Sequence, residues 1–206
     1  MAYSSFTLDE VADKFALKVR EGSLLGEIGR VSPSSWLQET LNKFHAMAFI
    51  SEKSRSEAIV FPVLVACREM VDNQVYIYSG ATFNVDSDTG LQGESDYLLA
   101  YTPPTPVLEK PILMVVEAKK NDMEFGLGQC AAQMVAARIY NEKRKRPISS
   151  LYGCVTTGEA WQLTKLQHEE FIVHDERYYI KNLDQVLWML TSVLKEGIAQ
   201  AIAAAA

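Results

Sequence analysis

The chain has 206 residues, 48% of them hydrophobic and 22% charged, with a net charge of −6; this suits one sizeable core and excludes attachment to nucleic acid by bulk positive charge, though not by a local basic groove. Its three cysteines, Cys67, Cys130 and Cys154, lie far apart with no C-x-x-C spacing, which excludes a disulfide framework and a structural zinc site and fits a reducing compartment. The start M-A-Y-S-S-F-T-L-D-E lacks a basic region followed by an apolar one, and no apolar run approaches membrane-spanning length, so a cytoplasmic protein is expected, with no signal peptide and no membrane partner.

In chain order, Thr7 and Glu10 have the spacing of a capping box. Apolar residues then recur at Val11, Phe15, Ala16 and Val19, which predicts a helix up to Gly22. Ser32-Pro33 predicts the start of a second helix, running through Trp36, Leu37, Leu41 and Phe44. A third is predicted from Ser51 to Val71, kinked or broken at Pro62. The pattern then turns to strands at Val75–Ser79, Thr82–Val85 and Asp96–Tyr101, separated by Gly80 and by D-S-D-T-G-L-Q-G. After a proline-rich loop, Ile112–Val116 reads as a buried strand that ends in V-V-E-A-K-K, and a long helix follows over Glu124–Lys145. Leu151–Thr156 and Trp161–Leu166 pair around Gly158, Phe171–His174 and Tyr178–Ile180 read as short edge strands, and an apolar helix spans Leu183–Ala204. The order predicts a mixed α/β domain over residues 51–206, preceded by a small helical section over residues 1–50 that packs on it. The apolar last helix also offers a surface for a homodimer.

The chemistry concentrates at E-A-K. Alternate strand residues share a face, so Glu117 and Lys119 continue the buried row of Val115. Desolvating charged groups costs several kcal/mol each unless something compensates. Asp96 lies on the preceding strand, and strands joined in this way commonly neighbour each other, so its carboxyl can meet that of Glu117. Two close carboxylates repel unless a cation or a proton lies between them. Their hard oxygens suit Mg²⁺ or Mn²⁺, and a nearby lysine can orient a metal-bound water. Taken alone, the E-A-K pair reads first as a same-face ion pair at a strand end, and the fuller constellation with Asp96 reverses that order.

An aspartate on one strand, E-x-K on the next and a following helix that carries glutamine resembles the PD-(D/E)XK nuclease superfamily. Asp96, Glu117 and Lys119 match its acid, acid and lysine, and Ser95 stands where the family often has proline. The resemblance spans roughly Ser51 to Leu166. It implies a restriction-endonuclease-like mixed sheet flanked by helices and a Mg²⁺-dependent endonuclease acting on DNA before RNA. Asp96 and Glu117 would hold the metal with help from the Ala118 carbonyl, and Lys119 would position the attacking water. A fold that kept these residues while only binding nucleic acid or a protein partner is the alternative.

The superfamily often adds a glutamate from the helix before the strands. At 100° per residue Glu52 stacks with Ser56, Ile59, Val63, Ala66 and Met70 on the apolar stripe, whereas Glu57 falls near Phe61, Arg68 and Asp72, so Glu52 is selected. The spacing from Glu52 to Pro62-Val63-Leu64 also resembles the nuclease domain of type I restriction subunits. Gln129 and Gln133 share a helix face, with Tyr140 two turns beyond Gln133. The resemblance implies that Gln133 orients Lys119, with Gln129 as second choice. The basic run Lys143-Arg144-Lys145-Arg146 complements a helix C-terminus or contacts phosphate. His45, His168 and His174 have no ligand spacing, and Gly126-Leu127-Gly128 does not complete a dinucleotide fingerprint.

Overall fold

The first turns of the chain follow their capping residues. In the computed structural model, which describes residues 2–45 and 51–205, a single 3-10 turn over Tyr3–Ser5 leads into α1 (Leu8–Phe15). Thr7 and Glu10 close the expected capping box there. The helix does not continue to Gly22. Ala16 takes the left-handed conformation at φ 53°, and Lys18–Gly22 becomes strand β1. Val19, which extended the helical periodicity in the sequence, lies 42% exposed on that strand. Helix α2 covers Ser35–His45, two residues past the expected start, with the Ser34 hydroxyl accepting the Leu37 N–H.

The third helix begins as expected, with the Ser51 side chain capping α3 (Glu52–Arg55). It neither breaks nor stops at Pro62. The turns widen into a π segment over Ser56–Val60, and α4 (Phe61–Met70) follows. Proline lacks an N–H and its ring crowds the carbonyl four residues back, and the wider turn absorbs both. The Phe61 N–H reaches back five residues to the Ser56 carbonyl.

Strands β2 (Val75–Thr82), β3 (Glu94–Tyr101), β4 (Ile112–Ala118), β5 (Ser150–Thr156), β6 (Ala160–Gln167) and β7 (Glu170–Tyr179) join β1 in one sheet. The order is β1-β7-β6-β5-β4-β3-β2. The β1–β7 and β4–β5 pairs are parallel and the other four are antiparallel. The two edge strands expected near the C-terminus are one interior strand, β7. Its polar stretch Asp175-Glu176-Arg177 is exposed at a register irregularity opposite Gln162 and Thr164, and the Gln162 amide donates to the carbonyls of His174 and Glu176 there.

Helices cover both faces. On one, α1 and α5 (Met123–Lys143) pack over Leu98 and Val115, with Cys130 and Met134 of α5 in that core. On the other, α2, α4 and α6 (Leu183–Ala203) pack over Leu99, Val116 and Trp161, with Leu64 of α4 in that core. Covered on both sides, β4 is buried at all seven residues, which is why it reads as a continuous apolar run. Ile180–Ala203 is long and apolar enough to cross a membrane by length and composition, but 56% of its most apolar 18-residue window is buried inside the protein. The residues before position 46 supply an edge strand as well as helices, and Tyr3, Phe6, Val11 and Leu37 enter the two cores. The expected division between residues 50 and 51 falls at residues 46–50, outside the described residues.

Candidate active site

Three chain reversals bring the acids and the lysine to one end of β4. The β3–β4 register pairs Tyr97 with Val116 and Leu98 with Val115, and continued by one residue it sets Asp96 across from Glu117. The Asp96 Oδ2 accepts the Ala118 N–H at 2.8 Å, and the Asp96 and Glu117 side chains line the same recess. Just beyond the strand, the Lys119 N–H donates to the Thr156 carbonyl at 2.8 Å, which carries the β4–β5 ladder one residue further and fixes where the lysine leaves the sheet. Its ammonium then returns to donate to Glu117 Oε1 at 2.7 Å and to Gln129 Oε1 at 2.8 Å.

Helix α5 supplies the other wall. Gly153 on β5 allows α5 to lie close, because a Cβ there would stand 2.4 Å from Met134 Sδ and 2.7 Å from Cys130 Sγ. Gly126 likewise leaves room for the Lys119 stem. The glutamines on the facing side are one turn apart and hold different partners. Gln129, nearer the helix start, is level with Lys119; Gln133 lies a turn deeper and donates its Nε2 to Glu117 Oε2 at 2.9 Å. The expectation that Gln133 orients Lys119 is therefore corrected: Gln129 touches the lysine and Gln133 the glutamate. Tyr140 bonds the Leu108 carbonyl and takes no part.

The sequence reading did not identify Ser95. It is fully buried and its hydroxyl donates to Gln133 Oε1 at 3.0 Å, which fixes the amide with its NH₂ toward Glu117. The β2–β3 pairing passes from Ser79–Tyr97 to Ala81–Ser95 without bridging Gly80 and Asp96, and Gly80 adopts φ +60° at that step. That interruption directs Ser95 toward α5. In the sequence only the glycine two residues before the end of β2 marks it.

Glu52 arrives from the far side of the sheet. Its Oε2 accepts the Lys120 N–H at 3.0 Å, so α3 is tied to the exit of β4. Glu57 is two-thirds exposed, 3.9 Å from Lys53. Tyr97 steadies the π segment that carries Glu57, donating to the Ser56 carbonyl and sharing a 2.6 Å hydrogen bond with the Ser56 hydroxyl. Glu52, Asp96, Glu117, Lys119 and Gln129 line a recess of about 290 Å³, completed by Ala2–Ser4 and Gly93–Glu94.

Burial dominates the electrostatics. Glu117, 1% exposed, has its carboxyl pushed up to about 8 by desolvation and then by the Asp96 charge, against the pull of Lys119. Asp96 is raised by burial, opposed by the Ala118 N–H and Lys119. Burial pushes the Lys119 ammonium down, and the charges of Glu117, Glu52 and Asp96 more than restore it, leaving it raised. Among the described residues every buried side-chain nitrogen and oxygen has a hydrogen-bond partner.

Among the described residues no group of three or more His, Cys, Asp or Glu side chains is placed to hold a metal ion. The donor set is instead a pair of buried carboxyls, of which the Asp96 charge raises the proton affinity of Glu117, with the Ala118 carbonyl at the strand end. One or two carboxylates with retained waters is the usual arrangement for Mg²⁺, so the residues present fit a hard divalent cation. The basic run lies elsewhere: Lys143 bonds the Val85 carbonyl and Arg144 stacks over Tyr140, fourteen residues or roughly 20 Å along α5 from Gln129. His174 is held by the Leu24 N–H and the Tyr178 hydroxyl, His168 sits in a turn, and the His45 side chain is outside the described residues. Comparison with known proteins finds no family that the chain matches and no similar curated protein.

Proposed function

We propose that this chain is a Mg²⁺- or Mn²⁺-dependent nuclease of the PD-(D/E)XK type, acting in the cytoplasm on phosphodiester bonds, with DNA the first substrate to assay and RNA the second. The observation that carries the reading is the meeting of the Asp96 and Glu117 carboxyls with the Lys119 ammonium in one recess at the end of a buried strand. A divalent cation would supply Lewis-acid polarisation of the phosphate and a more acidic water. Asp96, Glu117 and the Ala118 carbonyl would hold it.

Lys119 directs its ammonium at the attacking water and offsets the charge that grows on the phosphate oxygens. Gln129 keeps the lysine in place, and the Ser95–Gln133 pair keeps Glu117 pointing into the recess. Glu52 would hold a metal-bound water or a second ion at the entrance. Hydrolysis adds the water oxygen to phosphorus, breaks the bond to one sugar oxygen and returns a proton to that oxygen, leaving a phosphomonoester and a hydroxyl end.

Incubating labelled DNA and RNA with the protein in EDTA, Mg²⁺ and Mn²⁺ tests this. Cleavage that needs the metal and disappears in Glu117→Gln and Lys119→Ala supports the reading. Cleavage that survives either substitution contradicts it. The engagement of both Glu117 oxygens by Lys119 and Gln133 favours the alternative of a silent binding module, for which the same assay shows retained nucleic-acid binding and no cutting.

A further inference from the structure

The reacting groups lie at the bottom of a confined space. The Glu117 side chain is 1% exposed and that of Lys119 is 13% exposed. Whatever they act on must enter the recess, whose volume of about 290 Å³ is at the small end for ligand sites and holds roughly one nucleotide. Part of its wall is the Tyr3–Ser5 turn, and that turn is firmly built in. Tyr3 is 1% exposed, its hydroxyl donates to the Phe83 carbonyl at 2.7 Å, and its N–H donates to the Gln92 carbonyl at 3.0 Å.

Two glycines fit the turn to its neighbours. At Gly93 (φ +137°) a Cβ would stand 3.3 Å from the Tyr3 ring. At Gly128 it would stand 2.4 Å from the Phe6 carbonyl oxygen and 2.5 Å from the Thr7 carbonyl carbon, so only a glycine lets the backbone after the turn lie directly on α5. The G-L-G stretch thus has a structural use on each side: Gly126 admits Lys119 and Gly128 admits the wall.

The charge around the recess does not suit a long double-stranded polyanion. Among the described residues that line it, Lys119 is the one cation, beside the acids Glu52, Glu94, Asp96 and Glu117. Duplex binding draws on many Lys and Arg contacts to phosphates spread along the rod. The basic run of this chain stands at the other end of α5. A rod with its bases paired inside can offer a phosphate only at its surface, whereas an unpaired strand can bring phosphate, sugar and base into a hollow.

We infer that the recess takes a single unpaired strand and excludes a duplex, with the Tyr3–Ser5 turn as the wall that sets this limit. The inference rests on the nuclease reading and names the substrate class of that site. Ser4 is exposed and lines the recess, so a bulky side chain there would plug the entrance without disturbing the core.

The test is a comparison of initial cleavage rates under Mn²⁺ for one sequence presented as a single strand of DNA, a single strand of RNA, a blunt duplex, and a duplex with an unpaired overhang. The wild-type protein should cut a single strand about 100-fold faster than the blunt duplex and should cut the overhang substrate only in its unpaired part. Ser4→Trp should lower the single-strand rate at least about tenfold at an unchanged melting temperature. Equal rates on strand and blunt duplex, with Ser4→Trp indifferent, overturn the inference and leave the nuclease reading standing. No cleavage of any of the four substrates overturns both.

Discussion

Replacing Lys119 with methionine keeps most of the stem and removes the ammonium from between Glu117, Gln129 and the facing carboxyls. Two hydrogen bonds are lost, at 2.7 and 2.8 Å. Removing one partner of a buried pair costs about 3–5 kcal/mol when the other stays charged. Glu117 need not stay charged, and this makes the loss depend on pH. Its carboxyl is raised in the folded protein from 4.5 to about 8, so between those values the native state holds a proton that the unfolded chain has released. Stability of the metal-free wild type therefore falls as pH rises through that window and stops falling near pH 8. In Lys119→Met the carboxyl is raised further, so the decline continues above pH 8 at up to about 1.4 kcal/mol per pH unit. Lys119 itself, raised above 10.5 in the wild type, stays charged across this range.

The expected gap between the two proteins is about 1 kcal/mol near pH 6, where only the hydrogen bonds differ, and up to about 2.4 kcal/mol near pH 9. Urea denaturation in EDTA at both pH values measures it. Excess Mg²⁺ should close part of the gap at the higher pH, because an ion that binds only the folded state stabilises it by about 2.7 kcal/mol at a hundred times its dissociation constant. A gap that is equal at both pH values and indifferent to Mg²⁺ would show that Lys119 is part of a structural ion pair and would refute the reasoning.

Ser95→Ala leaves the Gln133 carbonyl oxygen without its donor, so it should cost about 1–3 kcal/mol in thermal melting and weaken Mn²⁺ binding by at least about tenfold in calorimetry. An unchanged Mn²⁺ affinity would separate Ser95 from the site. Gly128→Ala drives a methyl into the Phe6–Thr7 backbone and should cost about 1–3 kcal/mol of stability by denaturant titration. Asn141→Leu removes the one side chain that both accepts the Ile112 N–H and donates to its carbonyl, so it should destabilise by about 3 kcal/mol without changing Mn²⁺ affinity.

Much of the architecture was legible because it rests on local signals. The Thr7–Glu10 cap, the apolar run of β4 and the Ala-rich helix after E-A-K each state their structure within a few residues. So does the meeting of Asp96 with Glu117, since it needs only two strands joined by a loop to lie side by side. Where the sequence misled, a distant contact had overridden a local pattern. Val19 completes a helical stripe by spacing, but β7 offers Lys18–Gly22 a strand to pair with, and pairing prevails. Asp175–Arg177 reads as the end of a strand because the Gln162 side chain that satisfies its backbone comes from another strand. The glutamines show the same limit. Spacing put Gln129 and Gln133 on one face, but which of them meets Lys119 depends on how soon α5 begins after β4. Ser95 carried no signal of its own, because its role arises from the interruption at Gly80 on the neighbouring strand.

The central claim is that the space between Asp96 and Glu117 is built for a divalent cation. A crystal soaked in Mn²⁺ and measured at the manganese absorption edge tests it most directly. An anomalous peak shared by the Asp96 and Glu117 carboxylates is expected, with Lys119 still held by Gln129 beside it, and no such peak in Glu117→Gln. Glu117 keeping both its oxygens on Lys119 and Gln133 in saturating Mn²⁺, with no peak between Asp96 and Glu117, would contradict it.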